Sequence, residues 1–233
     1  MDITNYLKGK VIVSSQAMPD EPLYNEECML AMMQSVINGG ASALRLAGTR
    51  DIRNAKKYFD VPIIGITKPD KIPQNYKELV YITPTIEDVN SLINAGADII
   101  AFDGTNREHE DSVEKIIDTI HINGRLAMAD ISTLEEGIIC AEDGADLIST
   151  TLAGYTSYTD NGSTKPDFEL LSNLVKETEK PIILEGRIWT VEDVETAFRN
   201  GAHSVVIGSA ITRPQLITKR FIEAAKNACG VNL

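Results

Sequence analysis

Gly96-Ala97-Asp98-Ile99-Ile100 ends a stretch of helical spacing and opens a β-branched run, and the chain uses this device four times. It returns as Gly40-Ala41-Ser42-Ala43-Leu44, Gly144-Ala145-Asp146-Leu147-Ile148 and Gly201-Ala202-His203-Ser204-Val205. Glycine suits the left-handed position just past a helix C-terminus. A short loop then delivers the chain into the next strand. Repetition of this helix-to-strand turn predicts repeated βαβ crossovers and hence a parallel sheet.

Working outward from these turns, eight short runs read as strands: Val11–Ser15, Ala43–Ala47, Pro62–Thr67, Asp98–Phe102, Leu126–Asp130, Asp146–Thr150, Pro181–Glu185 and Ser204–Gly208. They are continuously apolar rather than alternating, as expected of strands buried on both faces. Between them lie helical faces such as Ile86, Val89, Leu92, Ile93 and Val191, Val194, Ala197, Phe198. Three capping boxes mark helix starts: Thr85 with Asp88, Thr133 with Glu136 and Thr190 with Asp193. Tyr81–Pro84 reads as a ninth, accessory extended piece. Eight strand–helix units in 233 residues predict a single (β/α)8 barrel domain over residues 1–233, with an open doubly wound sheet as the structural alternative.

Composition narrows the function classes. Hydrophobic residues at 43% and charged residues at 24% describe an ordinary globular chain, which excludes disorder, collagen and coiled coil. The 22 basic and 34 acidic residues give a net charge of −12, which repels nucleic acid and anionic membranes. Three widely spaced cysteines, Cys28, Cys140 and Cys229, form neither a disulfide framework nor a zinc pattern. Met1–Lys10 does not read as a signal peptide and no run is long enough for a membrane span, so a cytoplasmic protein is expected. His109, His121 and His203 do not cluster at strand ends, so no metal is expected. No Gly-x-Gly-x-x-Gly follows a strand, so no nicotinamide or flavin cofactor is expected either.

In such a barrel, chemistry sits at the C-terminal strand ends. Those positions hold Gln16, Arg45, Lys68, Asp103, Asp130, Thr150, Thr151, Glu185 and the pair Gly208-Ser209. The last two strand ends, Glu185-Gly186-Arg187 and Gly208-Ser209, suit a substrate phosphate bound by backbone amides, with Arg213 adding a charged contact. Lys68 in a partly dry mouth can lose its proton and act as a base, form a Schiff base, or remain a point charge for an anion. Glu185 is the candidate acid or second base, and Asp130 the group that pairs with or orients Lys68.

The ordered segments Val13-Ser14-Ser15-Gln16-Ala17, Glu21-Pro22-Leu23-Tyr24, Gly65-Ile66-Thr67-Lys68, Ile82-Thr83-Pro84-Thr85 and Ala129-Asp130-Ile131-Ser132-Thr133 then gain meaning together. With Thr150-Thr151-Leu152-Ala153-Gly154-Tyr155-Thr156, Glu185-Gly186-Arg187-Ile188 and Gly208-Ser209-Ala210-Ile211-Thr212-Arg213-Pro214, the chain resembles the N-acetylmannosamine-6-phosphate 2-epimerase family over nearly its whole length. The resemblance implies a cofactor-independent barrel isomerase that inverts C2 of N-acetylmannosamine 6-phosphate in amino-sugar and sialic acid breakdown. It places the family's catalytic lysine and glutamate on Lys68 and Glu185, the supporting aspartate on Asp130, a glutamine and an arginine at Gln16 and Arg45, and the phosphate-binding arginine on Arg213. Thr151 and Tyr155 are further candidate substrate contacts beside Gln16 and Arg45, and Gly186, Arg187, Gly208 and Ser209 complete the candidate phosphate cradle. Ser15, Pro69 and Ala43-Leu44 depart from the family pattern but flank these residues without removing them. A Schiff-base lyase, another phosphosugar isomerase and a non-catalytic sugar-phosphate sensor are the alternative readings. A helix-mediated homodimer is the expected assembly.

Overall fold

The apolar runs do close on themselves. The computed structural model describes residues 2–230. Helix α1 (Ile3–Leu7) precedes β1 (Lys10–Ser15), followed by α2 (Glu26–Asn38), β2 (Ala43–Ala47), α3 (Thr49–Tyr58), β3 (Ile63–Ile66), α4 (Ile86–Ala95), β4 (Ile99–Asp103) and α5 (Val113–Ile122). Then come β5 (Leu126–Asp130), α6 (Leu134–Glu142), β6 (Leu147–Ser149), α7 (Phe168–Glu177), β7 (Ile182–Glu185), α8 (Val191–Arg199), β8 (Ser204–Ile207), α9 (Ser209–Thr212) and α10 (Pro214–Cys229). All neighbouring strands pair in parallel, and β8 pairs with β1 to complete the barrel. The open sheet is thereby excluded. Among the described residues no helix is long and apolar enough to cross a membrane.

The four helix-to-strand turns work as the sequence predicts. Gly40, Gly96, Gly144 and Gly201 all have φ between 88° and 107°, where a Cβ is strained. Gly65 is needed for a different reason. A Cβ there would lie 2.9 Å from both Ala97 Cβ and Ile52 Cδ1, so its absence lets α3 and the α4–β4 turn sit close to β3.

Strand residues alternate between two cores. Ala43, Ile64, Ile66, Ile99, Ala101, Met128, Ile183 and Val206 fill the barrel interior. Leu44, Leu46, Ile63, Ile100, Phe102, Leu184 and Val205 pack outward against the helices. Arg45, Asp130 and Glu185 fall in the inward rank, each two residues past an interior apolar residue (Ala43, Met128, Ile183). Gln16, Lys68 and Gly208 continue that rank just beyond β1, β3 and β8. The pleat therefore aims these groups at one end of the barrel axis.

Three local expectations change. Tyr81–Pro84 forms no strand; it is a bent segment in which Thr83 takes φ 46° and its Oγ1 accepts from the Thr67 amide at 3.1 Å. The Thr133 and Thr190 caps are reciprocal boxes, whereas the Thr85 hydroxyl donates to Asp88 Oδ2 at 2.6 Å, so that acid turns to the threonine side chain. Val191, expected on a buried face, is 72% exposed, because α8 turns its first residue to solvent and packs through Val194, Ala197 and Phe198.

Candidate active site

Every charged group at the strand ends must be paired, tuned or exposed to water. Here they fall into two layers. The upper layer lines a cavity of about 280 Å³ at the C-terminal mouth, walled by Gln16, Lys68, Thr151, Tyr155, Glu185, Gly186, Arg187, Gly208, Ser209 and Arg213. The lower layer is Arg45 and Asp130, buried to 1% and 0% exposure beneath that wall.

Arg45 organises the floor. It donates from Nη1 to Asp130 Oδ1 at 3.0 Å and from Nη2 to Oδ2 at 2.5 Å, a two-pronged pairing that suits the planar guanidinium. Its Nη1 also lies 2.9 Å from Glu185 Oε2. Burial alone would lower its pKa, but Asp130 and Glu185 outweigh that and raise it above the ordinary value. A permanent cation therefore sits between two carboxylates.

That cation tunes its neighbours. Lys68 is pushed down to about 8, first by burial and next by Arg45. Glu185 is raised to about 7, first by burial, with Arg45 pulling down and Asp130 pushing up. A lysine lowered and a glutamate raised towards neutrality are the features of a base and an acid working near pH 7.

Asp130 was expected to hold Lys68. In the structure both Asp130 oxygens are taken by Arg45, and Thr151 Oγ1 adds a bond to Oδ1 at 2.7 Å. Lys68 Nζ instead donates to Gln16 Oε1 at 3.0 Å, and Gln16 Nε2 donates to Ser14 Oγ at 2.8 Å. Pairing in the barrel floor follows guanidinium geometry, which a lysine cannot match. Thr151 was expected to contact substrate; its hydroxyl is already surrounded by Ser149, Asp130 and Glu185. Arg45 likewise is not in the cavity wall.

The residues expected at a phosphate lie together on one side of the mouth, with differing freedom. Arg213 pairs with Glu21 through Nη2, and Glu21 also accepts from Gln215 Nε2 at 2.7 Å and the Met18 amide at 2.9 Å. The Arg213 Nε is buried without a partner. Arg187 takes φ 57° and donates to the carbonyls of Lys165 at 2.9 Å and Ala153 at 2.7 Å, while its guanidinium stacks 5.2 Å from the Tyr155 ring centre. It clasps the loop between β6 and α7 as well as lining the cavity.

Asp103 is excluded from the cavity wall. Its carboxylate pairs with Arg107 and accepts from Thr105, and Arg107 donates onward to the carbonyls of Tyr76 at 3.0 Å and Leu79 at 2.6 Å. This anchors the loop that carries Tyr81, a cavity residue that sequence reading placed in an accessory strand. Ser14, Ile82, Trp189 and Thr212 are further wall residues not picked out from sequence. Ser14 was findable, since it shares the inward rank of Ile12 and Gln16.

The family model described as "Putative N-acetylmannosamine-6-phosphate epimerase" matches residues 29–227. The chain is 48% identical over 223 residues to a protein of Clostridium perfringens (strain ATCC 13124) with the name "Putative N-acetylmannosamine-6-phosphate 2-epimerase", covering 94% of this chain and 98% of that one. A protein of the same name from Clostridioides difficile (strain 630) is 44% identical, covering 94% and 96%. The solved structure of the N-acetylmannosamine-6-phosphate 2-epimerase from Clostridium perfringens superposes with a TM-score of 0.91 at 45% identity, covering 96% of each chain. The 3-hexulose-6-phosphate synthase of Salmonella typhimurium, at TM-score 0.63 and 17% identity, shares the fold alone.

Proposed function

We propose, since the chain belongs to the N-acetylmannosamine-6-phosphate epimerase family, that it inverts C2 of N-acetylmannosamine 6-phosphate to give N-acetylglucosamine 6-phosphate. The observation that carries the reading is the placement of Lys68 and Glu185 in one cavity wall, with the lysine lowered to about 8 and the glutamate raised to about 7.

In the ring form the C2 hydrogen is not acidic. Glu185 assists ring opening by proton exchange with the sugar oxygens, which makes C1 an aldehyde. The C2 hydrogen is then α to a carbonyl. Neutral Lys68 takes that proton while Glu185 gives one to the C1 oxygen, so the developing charge is neutralised as it forms. Return of a proton to the opposite face of C2 completes inversion. Arg45 acts from beneath: it depresses Lys68 and stays charged beside Glu185. The phosphate rests near Gly186, Gly208, Ser209 and Arg213, lending remote binding energy to orientation.

Incubation of N-acetylmannosamine 6-phosphate with the protein in D2O, followed by ¹H NMR, tests the reaction directly. The expected result is appearance of N-acetylglucosamine 6-phosphate with deuterium at C2; an unchanged spectrum rejects the reading.

Two further outcomes follow. The values near 7 and 8 belong to interacting groups, so kcat/KM should describe a bell with limbs near those values and a maximum near pH 7.5. The productive form, with the proton on Glu185 and none on Lys68, is then a minority of about 5–10% at the maximum. A profile flat from pH 6 to 9 would contradict this assignment. Arg213→Ala should raise KM by about 10–100-fold with kcat within about 3-fold, as expected for loss of a charged hydrogen bond to a group that does not react. A KM within 2-fold of wild type removes Arg213 from the phosphate site.

A phosphorylated sugar does not cross a bilayer unaided, which supports a cytoplasmic setting. Support for a homodimer comes from α10, where no residue is buried and Phe221 and Ile222 are 73% and 48% exposed.

A further inference from the structure

The Thr151 hydroxyl has one proton to give and two lone pairs. Three oxygens surround it: Asp130 Oδ1 at 2.7 Å, Ser149 Oγ at 2.8 Å and Glu185 Oε2 at 3.1 Å. Asp130 is the shortest partner, and with both oxygens on Arg45 it acts only as an acceptor. The threonine proton therefore goes to Asp130. The other two contacts are hydrogen bonds only if Ser149 and Glu185 each bring a proton. Were Glu185 ionised, its oxygen would face a lone pair. The geometry points to Thr151 as a positioning residue that holds Glu185 in its protonated form: Glu185 donates to Thr151, and Thr151 donates to Asp130.

This deepens the proposed reaction and rests on its use of Glu185 as the acid. The charged and titratable groups facing Glu185 are Arg45 from β2, Lys68 beyond β3, Asp130 from β5 and the Tyr155 phenol. Arg45 favours the ionised glutamate, while burial and Asp130 favour the acid; a hydroxyl that accepts the glutamate proton adds to the second side. It does so without adding charge. It also reaches Asp130 without a second cation, so one neutral hydroxyl links the acid to the anchor carboxylate that Arg45 grips.

The alternative is that Thr151 donates to ionised Glu185, and the two differ in sign. Removing an acceptor of the glutamate proton lowers its titration point; removing a donor to the carboxylate raises it. The test is a ¹³C NMR titration of protein labelled at the glutamate carboxyl carbon, with the Glu185 signal assigned by Glu185→Gln. Thr151→Val is nearly isosteric, and Thr151→Ala removes the hydroxyl without adding a methyl. In both, the Glu185 titration should move to lower pH by about 0.5 or more. Thr151→Ser, which keeps the hydroxyl, should stay within about 0.2 of wild type. The acidic limb of the kcat/KM profile should fall with the NMR value in the Val and Ala variants. A titration that stays put or rises overturns the inference. The NMR readout needs no turnover. A downward shift in a protein that fails to invert C2 defeats the proposed reaction and leaves this hydrogen-bond order standing; an upward shift in an active enzyme does the reverse.

Discussion

Lys68→Met is expected to lower kcat for C2 inversion by about 10²–10⁴-fold while leaving the affinity for the sugar phosphate within a few fold. Methionine has nearly the same length and apolar stem, so the wall of the cavity keeps its shape. What is lost is the amine proposed to take the C2 proton. The residues proposed for the phosphate follow the ends of β7 and β8, away from β3, so binding is expected to survive. Turnover followed by ¹H NMR and affinity measured by calorimetry separate the two effects. Retention of more than a tenth of wild-type kcat would remove Lys68 from the chemistry. The structural cost is small, because the lost cation was already pushed towards neutrality by burial and by Arg45.

Arg45→Met should have the opposite balance, with a large effect on stability as well as on rate. The guanidinium pairs with a fully buried Asp130 and with Glu185. Removing one partner of a buried ion pair strands the other, at a cost of about 3–5 kcal/mol. For a chain of this size that lowers Tm by roughly 6–20 °C. The pH dependence has a definite sign. In the variant Glu185, already raised by burial, loses the cation that pulls it down, so its folded-state pKa lies further above the unfolded one and the folded state binds more protons than the unfolded. Stability is then retained at low pH and lost as pH rises through the raised value. The gap between variant and wild type should widen from pH 5 to pH 8 in thermal melts. A gap that is constant or narrows would show that Arg45 does not compensate these carboxylates. Rate should fall as well, since Lys68 loses a cation that depresses it and returns towards the ordinary lysine value.

Much of the site was legible because strand geometry is local. Counting by two from Ala43, Ile66, Met128 and Ile183 reaches Arg45, Lys68, Asp130 and Glu185, and strand sterics then fix which way each points. The order of motifs did the same for Gly208, Ser209 and Arg213. Partnership was not legible. Asp130 and Lys68 looked like a pair because both are oppositely charged rim residues, yet Gln16 took the lysine and Arg45 the aspartate. Tyr81 escaped notice because a bent connector with Thr83 at positive φ has no periodic signature. Arg187 reads as part of a phosphate cradle in sequence, but its position past Gly186 also brings it under the carbonyls of a distant loop.

The order of residues along the chain was enough to dictate eight inward-pleated strands, the four left-handed glycines that reset a helix into the next strand, and the set of side chains directed at one end of the axis. These follow from φ/ψ preferences and the two-residue repeat, which act within a few bonds. Closure of the barrel alone decided which of those side chains meet. Joining β8 to β1 brings residues from β2, β5 and β7 together at hydrogen-bond distance across the interior. There, donor geometry and the cost of leaving a buried charge unpaired select Arg45, rather than Lys68, as the centre on which Asp130 and Glu185 converge.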